Sequence, residues 1–140
     1  MKWLLLIAIS LSLFADDYTT KEKILHSILS QTNIKQNLII WSDESTILNG
    51  LGKEYNTTNN CNNATLLIIT EKEDVPQECL QKQAYIFVLD YKLLSEIPQS
   101  FGALFWKKGR ANIVILEPRI KTQHIAVSEK LKPYLENKVW

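Results

Sequence analysis

Three apolar runs, NLIIWS (residues 37–42), ATLLIIT (64–70) and AYIFVLD (84–90), recur along this chain with helix-length connections between them. Each is apolar at nearly every position and not at every second one, the pattern of a strand covered on both faces. The connections read as helices. DESTILNGL (43–51) follows the first run, VPQECLQKQ (75–83) joins the second to the third with Pro76 in its first turn, and YKLLSEI (91–97) stops before Pro98. Strand, helix, strand, helix, strand implies βαβ crossovers and a parallel sheet. Ahead of them, TTKEKILHSILSQTNIK (19–35) has Thr19 and Glu22 at capping-box spacing and Ile24, Leu25, Ile28 and Leu29 on one face, which predicts an amphipathic helix.

The last forty or so residues change character. GALFW and ANIVILE flank Lys107-Lys108-Gly109-Arg110, which predicts an antiparallel hairpin whose two-residue loop, Lys108-Gly109, needs positive φ at Gly109. RIKTQH (119–124) and VSEKLKPYLEN (127–137) read as closing helices. KEYNTTNNCNNA (53–64) is a polar loop with a brief edge strand around residues 53–57. There is no internal repeat and no Pro- or Gly-rich linker, so the expected fold is a single three-layer α/β domain with a mixed, mainly parallel sheet and a C-terminal β-hairpin.

The chain opens MKWLLLIAISLSLFADD: one basic residue, an apolar run from Trp3 to Phe14, then Ala15 before two acids. That is the layout of a signal peptide cut after Ala15, leaving residues 16–140 as a periplasmic or secreted domain. The run is shorter than the roughly 20 residues of a membrane span, so the mature chain is expected not to be membrane-embedded. Of 16 Lys and Arg, only Lys2 falls in the leader, so the mature chain balances its 15 acids. A nucleic-acid partner, which calls for a basic excess, is not expected.

Chemistry is sparsely signalled. His26 and His124 lie far apart outside any metal-ligand spacing, and neither a Gly-rich phosphate loop nor a G-x-S-x-G nucleophile motif occurs. No catalytic residue, metal or cofactor is therefore expected. Asp43, Glu71 and Asp90 each follow the carboxyl end of an expected parallel strand, the edge where open α/β sheets bind ligands. They could hold a cation or serve a small hydrolase or transferase; alternatively, Asp43 and Asp90 only cap the helices they precede. Cys61 and Cys79 would pair in an oxidising compartment. Against that, strand 64–70 rises roughly 20 Å between them and Cys79 stands only about a turn into the returning helix, so the Cα atoms reach the roughly 7 Å limit only if the Asn-rich loop curls back. Glu54, Asn56 and Thr58 match the D/E-x-N-x-S/T form of the bacterial N-glycosylation acceptor, which marks Asn56 as a modification candidate. Lys107, Lys108 and Arg110, beside Phe105 and Trp106, have two readings. They are a charged turn that blocks edge-to-edge pairing, or a patch for an acidic partner or anion with Trp106 as its apolar anchor.

The stretch GALFWKKGRANIVILEPRIKTQHIAVSEKLKPYL resembles the C-terminal part of the YfiR-like periplasmic proteins. In that family a Gly-led strand turns into a second strand, followed by a short helix and an L-x-x-S-x-x-L-like close. The corresponding residues here are Gly102, the strand Asn112–Glu117, Ile125 to Ser128 and Leu131. The earlier part is similar in order, with a leader, a first helix, NLIIWS, a Cys before ATLLII and a strand before the small helix at Asp90. Where the family has marked acidic and Asn positions after the last strand, this chain has Pro118-Arg119. The resemblance implies a small periplasmic α/β domain without catalytic residues that binds and restrains an inner-membrane signalling protein. It carries over no site residue.

Overall fold

A computed structural model of the protein describes residues 20–140. The expected leader and Thr19 of the capping box lie outside the described residues. Residues 20–30 are helical (α1). Thereafter come β1 (Ile39–Ser42), α2 (Ser45–Leu51), β2 (Asn56–Thr57), β3 (Leu66–Ile69), α3 (Gln77–Leu80) and β4 (Tyr85–Val88). They are followed by α4 (Leu93–Glu96), β5 (Ser100–Lys107), β6 (Arg110–Leu116), α5 (Glu117–Thr122) and β7 (Leu135–Glu136). The strands form one sheet in the order β2-β1-β3-β4-β5-β6-β7. Pairing is parallel as far as β5, antiparallel across the β5–β6 hairpin, and parallel again between β6 and β7.

The continuous apolar runs are explained by layers on both faces of the sheet. Leu66, Ile68 and Phe87 point into a core shared with Leu25, Ile28 and Leu29 of α1, Ile47 of α2 and Ile120 of α5. Leu67, Ile69, Ile86 and Val88 point the other way, into a core with Cys79 of α3 and Leu93 and Leu94 of α4. The three-layer, mainly parallel α/β domain with its hairpin is thus the observed fold. One irregularity sits at the start of β5: Ile86 pairs with Ser100 but Phe87 pairs with Gly102, so Phe101 is an extra residue, a β-bulge. Gly102 is there because space forbids anything larger. A Cβ on it would stand 2.8 Å from the Val114 carbonyl oxygen and 3.1 Å from the Phe87 ring.

One alternative left open by the sequence is decided, and two local expectations are corrected. Cys61 and Cys79 form a disulfide with Cα atoms 5.9 Å apart. The distance argument against it gave the chain only about one helical turn before Cys79 in which to travel back and left residues 71–74 without a direction. Instead β3 ends at Ile69 and residues 70–76 travel back in extended and 3₁₀ backbone, with Pro76 capping α3 and not inside it, so Cys79 arrives beside Cys61. The second closing helix is a 3₁₀ segment, Glu129–Tyr134, followed by strand β7. Pro133 lacks the N–H an α-helix needs at that point, and Leu135 then pairs with Ile115. Glu117, expected at the end of the second hairpin strand, opens α5 instead, with Pro118 in its first turn.

Candidate functional site

The hairpin closes as its sequence requires. Lys107 pairs with Arg110, and the two residues between them, Lys108 and Gly109, have φ of 52° and 74°. Positive φ at both central positions is the type I′ turn, whose twist matches that of the flanking strands. A Cβ on Gly109 would meet nothing within 4 Å, so backbone conformation and not crowding selects glycine. Lys108 adopts the same left-handed conformation without that freedom, a strained choice costing on the order of 1 kcal/mol.

Side chains alternate along β5. Leu104 joins the core under α1 and Phe105 the core under α4, so Trp106 continues the first face and Lys107 the second. Arg110, directly opposite Lys107, shares that second face with Phe105. There, a groove of about 750 Å³ runs past Asp90, Tyr91, Phe105, Lys107, Glu136 and Trp140, and Trp106 lines it as well. Its floor is aromatic: the Tyr91 and Phe105 rings meet at 5.1 Å between centroids, and Tyr91 Oη accepts a hydrogen bond from the Trp140 N–H at 2.8 Å. Lys138 Nζ lies 4.2 Å over the Trp140 ring. Trp106 is 44% exposed and Trp140 80%. Among the described residues, none of Lys107, Lys108 and Arg110 takes part in a salt bridge.

The carboxyl edge of the parallel strands holds the acidic residues, but Asp43 does not cap α2. Its two carboxylate oxygens accept the Thr70 and Glu71 N–H groups, each at 2.8 Å, and so lace β1 to the end of β3. The strand order places the topological switch between β1 and β3, so Asp43 ties together the crevice where such sheets usually bind ligands. Glu44 occupies the cap position of α2, its carboxylate meeting Lys21 Nζ and Thr46 Oγ1 and making no cap bond to the helix backbone. Asp90 stands two residues ahead of the α4 cap position, which Lys92 occupies without a side-chain cap bond; its Oδ1 accepts the Lys92 N–H at 3.2 Å in the turn that leads into the helix. Among the described residues, no three His, Cys, Asp or Glu side chains gather as a metal would require.

Asn56 is exposed on the edge strand β2, its backbone paired with Ile39. His26 Nδ1 lies 3.0 Å from Glu54 Oε2, close enough for an ion pair but outside hydrogen-bond geometry. The neighbouring Tyr55 hydroxyl is pushed above its ordinary pKa by burial, with the Glu54 charge adding to it. Arg119, which carried no signal in the sequence beyond its departure from the family pattern, reaches back across the fold. Its Nη1 donates to Leu94 O at 2.8 Å and Ser100 O at 2.9 Å, holding the end of α4 against β5. Burial depresses its pKa.

These features define a doubly wound α/β domain extended by a basic hairpin, with an aromatic groove at the hairpin's side. No protein-family model, no curated protein and no solved structure matches the chain. Among the described residues, no helix is long and apolar enough to cross a membrane.

Proposed function

We propose that this chain is an exported, non-enzymatic binding module that holds an acidic segment of a protein partner at the hairpin tip and along the groove beside it. The observation that carries this reading is the facing pair Lys107 and Arg110 with Lys108 strained between them. Fold stability does not account for that arrangement. Like charges directly opposite on neighbouring strands are destabilising, and Asn or Gly is favoured where Lys108 stands. An acidic partner would relieve the repulsion, and exposed Trp106 together with the groove aromatics would supply the apolar anchors on which interface energy concentrates.

Export rests on the signal-peptide layout of residues 1–15 and agrees with a disulfide, which persists in oxidising compartments. The resemblance to YfiR-like proteins suggests an inner-membrane signalling protein as the partner. The rival, a small hydrolase or transferase working from Asp43, Glu71 and Asp90, draws less support because both Asp43 oxygens are already bonded to backbone amides.

The test is affinity capture from the cell-envelope fraction. Wild-type protein should retain a membrane protein, and Trp106→Ala should weaken that retention by about 2 kcal/mol, roughly 30-fold. Tyr134→Ala, at a residue also 41% exposed, should leave it unchanged. Equal retention by wild type and Trp106→Ala would contradict the reading.

A further inference from the structure

The edge of the sheet far from the hairpin carries the pattern of a covalent modification. β2 is the end strand, separated from β5 by β1, β3 and β4, and both its residues, Asn56 and Thr57, are exposed. It is held on one side only. Asn56 and Thr57 register with Ile39 and Ile40, and Thr58 N donates to Ile40 O at 2.9 Å, while the outer edge of β2 pairs with no strand. So short a one-sided pairing opens at low cost, because few backbone hydrogen bonds and little buried apolar surface are lost with it.

Asparagine-linked glycosylation accounts for the side chains on this segment. A carboxamide nitrogen is a poor nucleophile, its lone pair being delocalised into the carbonyl, so an acceptor Asn must be free to turn within a transferase. Among the described residues the Asn56 side chain has no hydrogen-bond partner. The hydroxyl two residues on belongs to Thr58, which bonds only within its own exposed turn: Oγ1 accepts the Asn60 N–H at 3.1 Å and donates to Asn60 O at 3.4 Å. The carboxylate two residues before belongs to Glu54, whose side chain is 61% exposed and lies 3.0 Å from His26 Nδ1. Neither Tyr55 nor Thr57, between them, is a proline, which would bar modification. The triplet Asn63-Ala64-Thr65 offers an internal comparison. Thr65 Oγ1 accepts the Ile39 N–H at 2.9 Å and donates to Ile39 O at 3.3 Å, so its hydroxyl is engaged across the sheet. Two residues before Asn63 stands the disulfide-bonded Cys61 and not an acid.

We propose that Asn56 is N-glycosylated after export, the donor being an oligosaccharide carried on a polyprenyl diphosphate. A bond forms between Asn56 Nδ2 and the anomeric carbon, the bond from that carbon to the diphosphate oxygen breaks, one Nδ2 proton passes to a base of the transferase, and polyprenyl diphosphate leaves. The proposal rests on the export reading and is independent of the hairpin tip. The attached glycan covers the unpaired edge of β2, which is otherwise a template for pairing with another chain.

The test is mass spectrometry of the protein recovered from the envelope of its own host, read at the first residue and, by fragmentation that keeps sugars attached, at each Asn. The chain should begin near Asp16 and carry an oligosaccharide on Asn56, with Asn63 bare. Thr58→Ala and Glu54→Gln should each abolish the modification, whereas Thr58→Ser and Asn63→Gln should keep it. A bare Asn56 in chains that begin near Asp16 overturns the proposal and leaves export standing. Chains that keep Met1 and carry no sugar overturn both. Sugar retained in Thr58→Ala, or found on Asn63 in place of Asn56, overturns the choice of acceptor.

Discussion

From Ser100 to Leu104 strand β5 is buried at every position, whereas from Trp106 to Ala111 the same hairpin is exposed at every position. The base pairs with β4 and, from Gly102 onward, with β6 as well, whereas the tip pairs within the hairpin alone, and what constrains the residues differs accordingly. At the base, Phe101 is wholly enclosed, with its ring 5.5 Å from that of Phe87, and Gly102 has no room for a Cβ. Packing alone accounts for those residues. At the tip, geometry requires only positive φ at two positions, and Gly109 answers that requirement at one of them. The clustered cations and the strained Lys108 are left over once folding has been accounted for, which makes the tip the place to look for function.

The largest effect is expected at the base. Phe101→Ala should lose about 3–5 kcal/mol of stability in denaturant unfolding, as large aromatic truncations in cores do. A loss as small as that of an exposed substitution would erase the contrast between base and tip. The disulfide comes next. Removing it as Cys61→Ala with Cys79→Ala opens a loop with a sequence separation of 18 and should lower stability by about 3 kcal/mol in the chain-entropy model. Because the bridge lies in the layer under α3, away from the hairpin tip, partner retention measured below the melting transition should survive. Its loss there would show that base and tip are coupled.

The contrast also tracks how much could be read from the residues. Strands β1, β3 and β4 were legible because burial on both faces leaves an unbroken apolar run, and the hairpin because Gly109 punctuates two such runs. The bulge at Phe101 and the role of Gly102 were not, since both depend on where Phe87 lies across the sheet. Asp43 read as a helix cap because local spacing cannot reveal amide donors 27 and 28 residues away. The Cys61–Cys79 bridge turned on the path of residues 70–76, for which apolar periodicity gives no direction. The two-residue strand β7 is too short to carry a pattern. Of the candidate site, Trp106 and the basic residues were legible, being contiguous. The groove was not, because Tyr91, Phe105 and Trp140 converge from separate parts of the chain.

The central claim, that the tip serves binding and not folding, is tested most directly by measuring melting temperature and partner retention on one variant, Lys108→Glu with Arg110→Glu. Exposed substitutions usually shift stability by less than about 0.5 kcal/mol, so the melting temperature should stay close to that of the wild type. Retention of the envelope partner should be lost, since two cations facing an acidic segment become two anions. A variant that melts like the wild type and also binds like it would contradict the account and leave residues 107–110 as a hairpin turn alone.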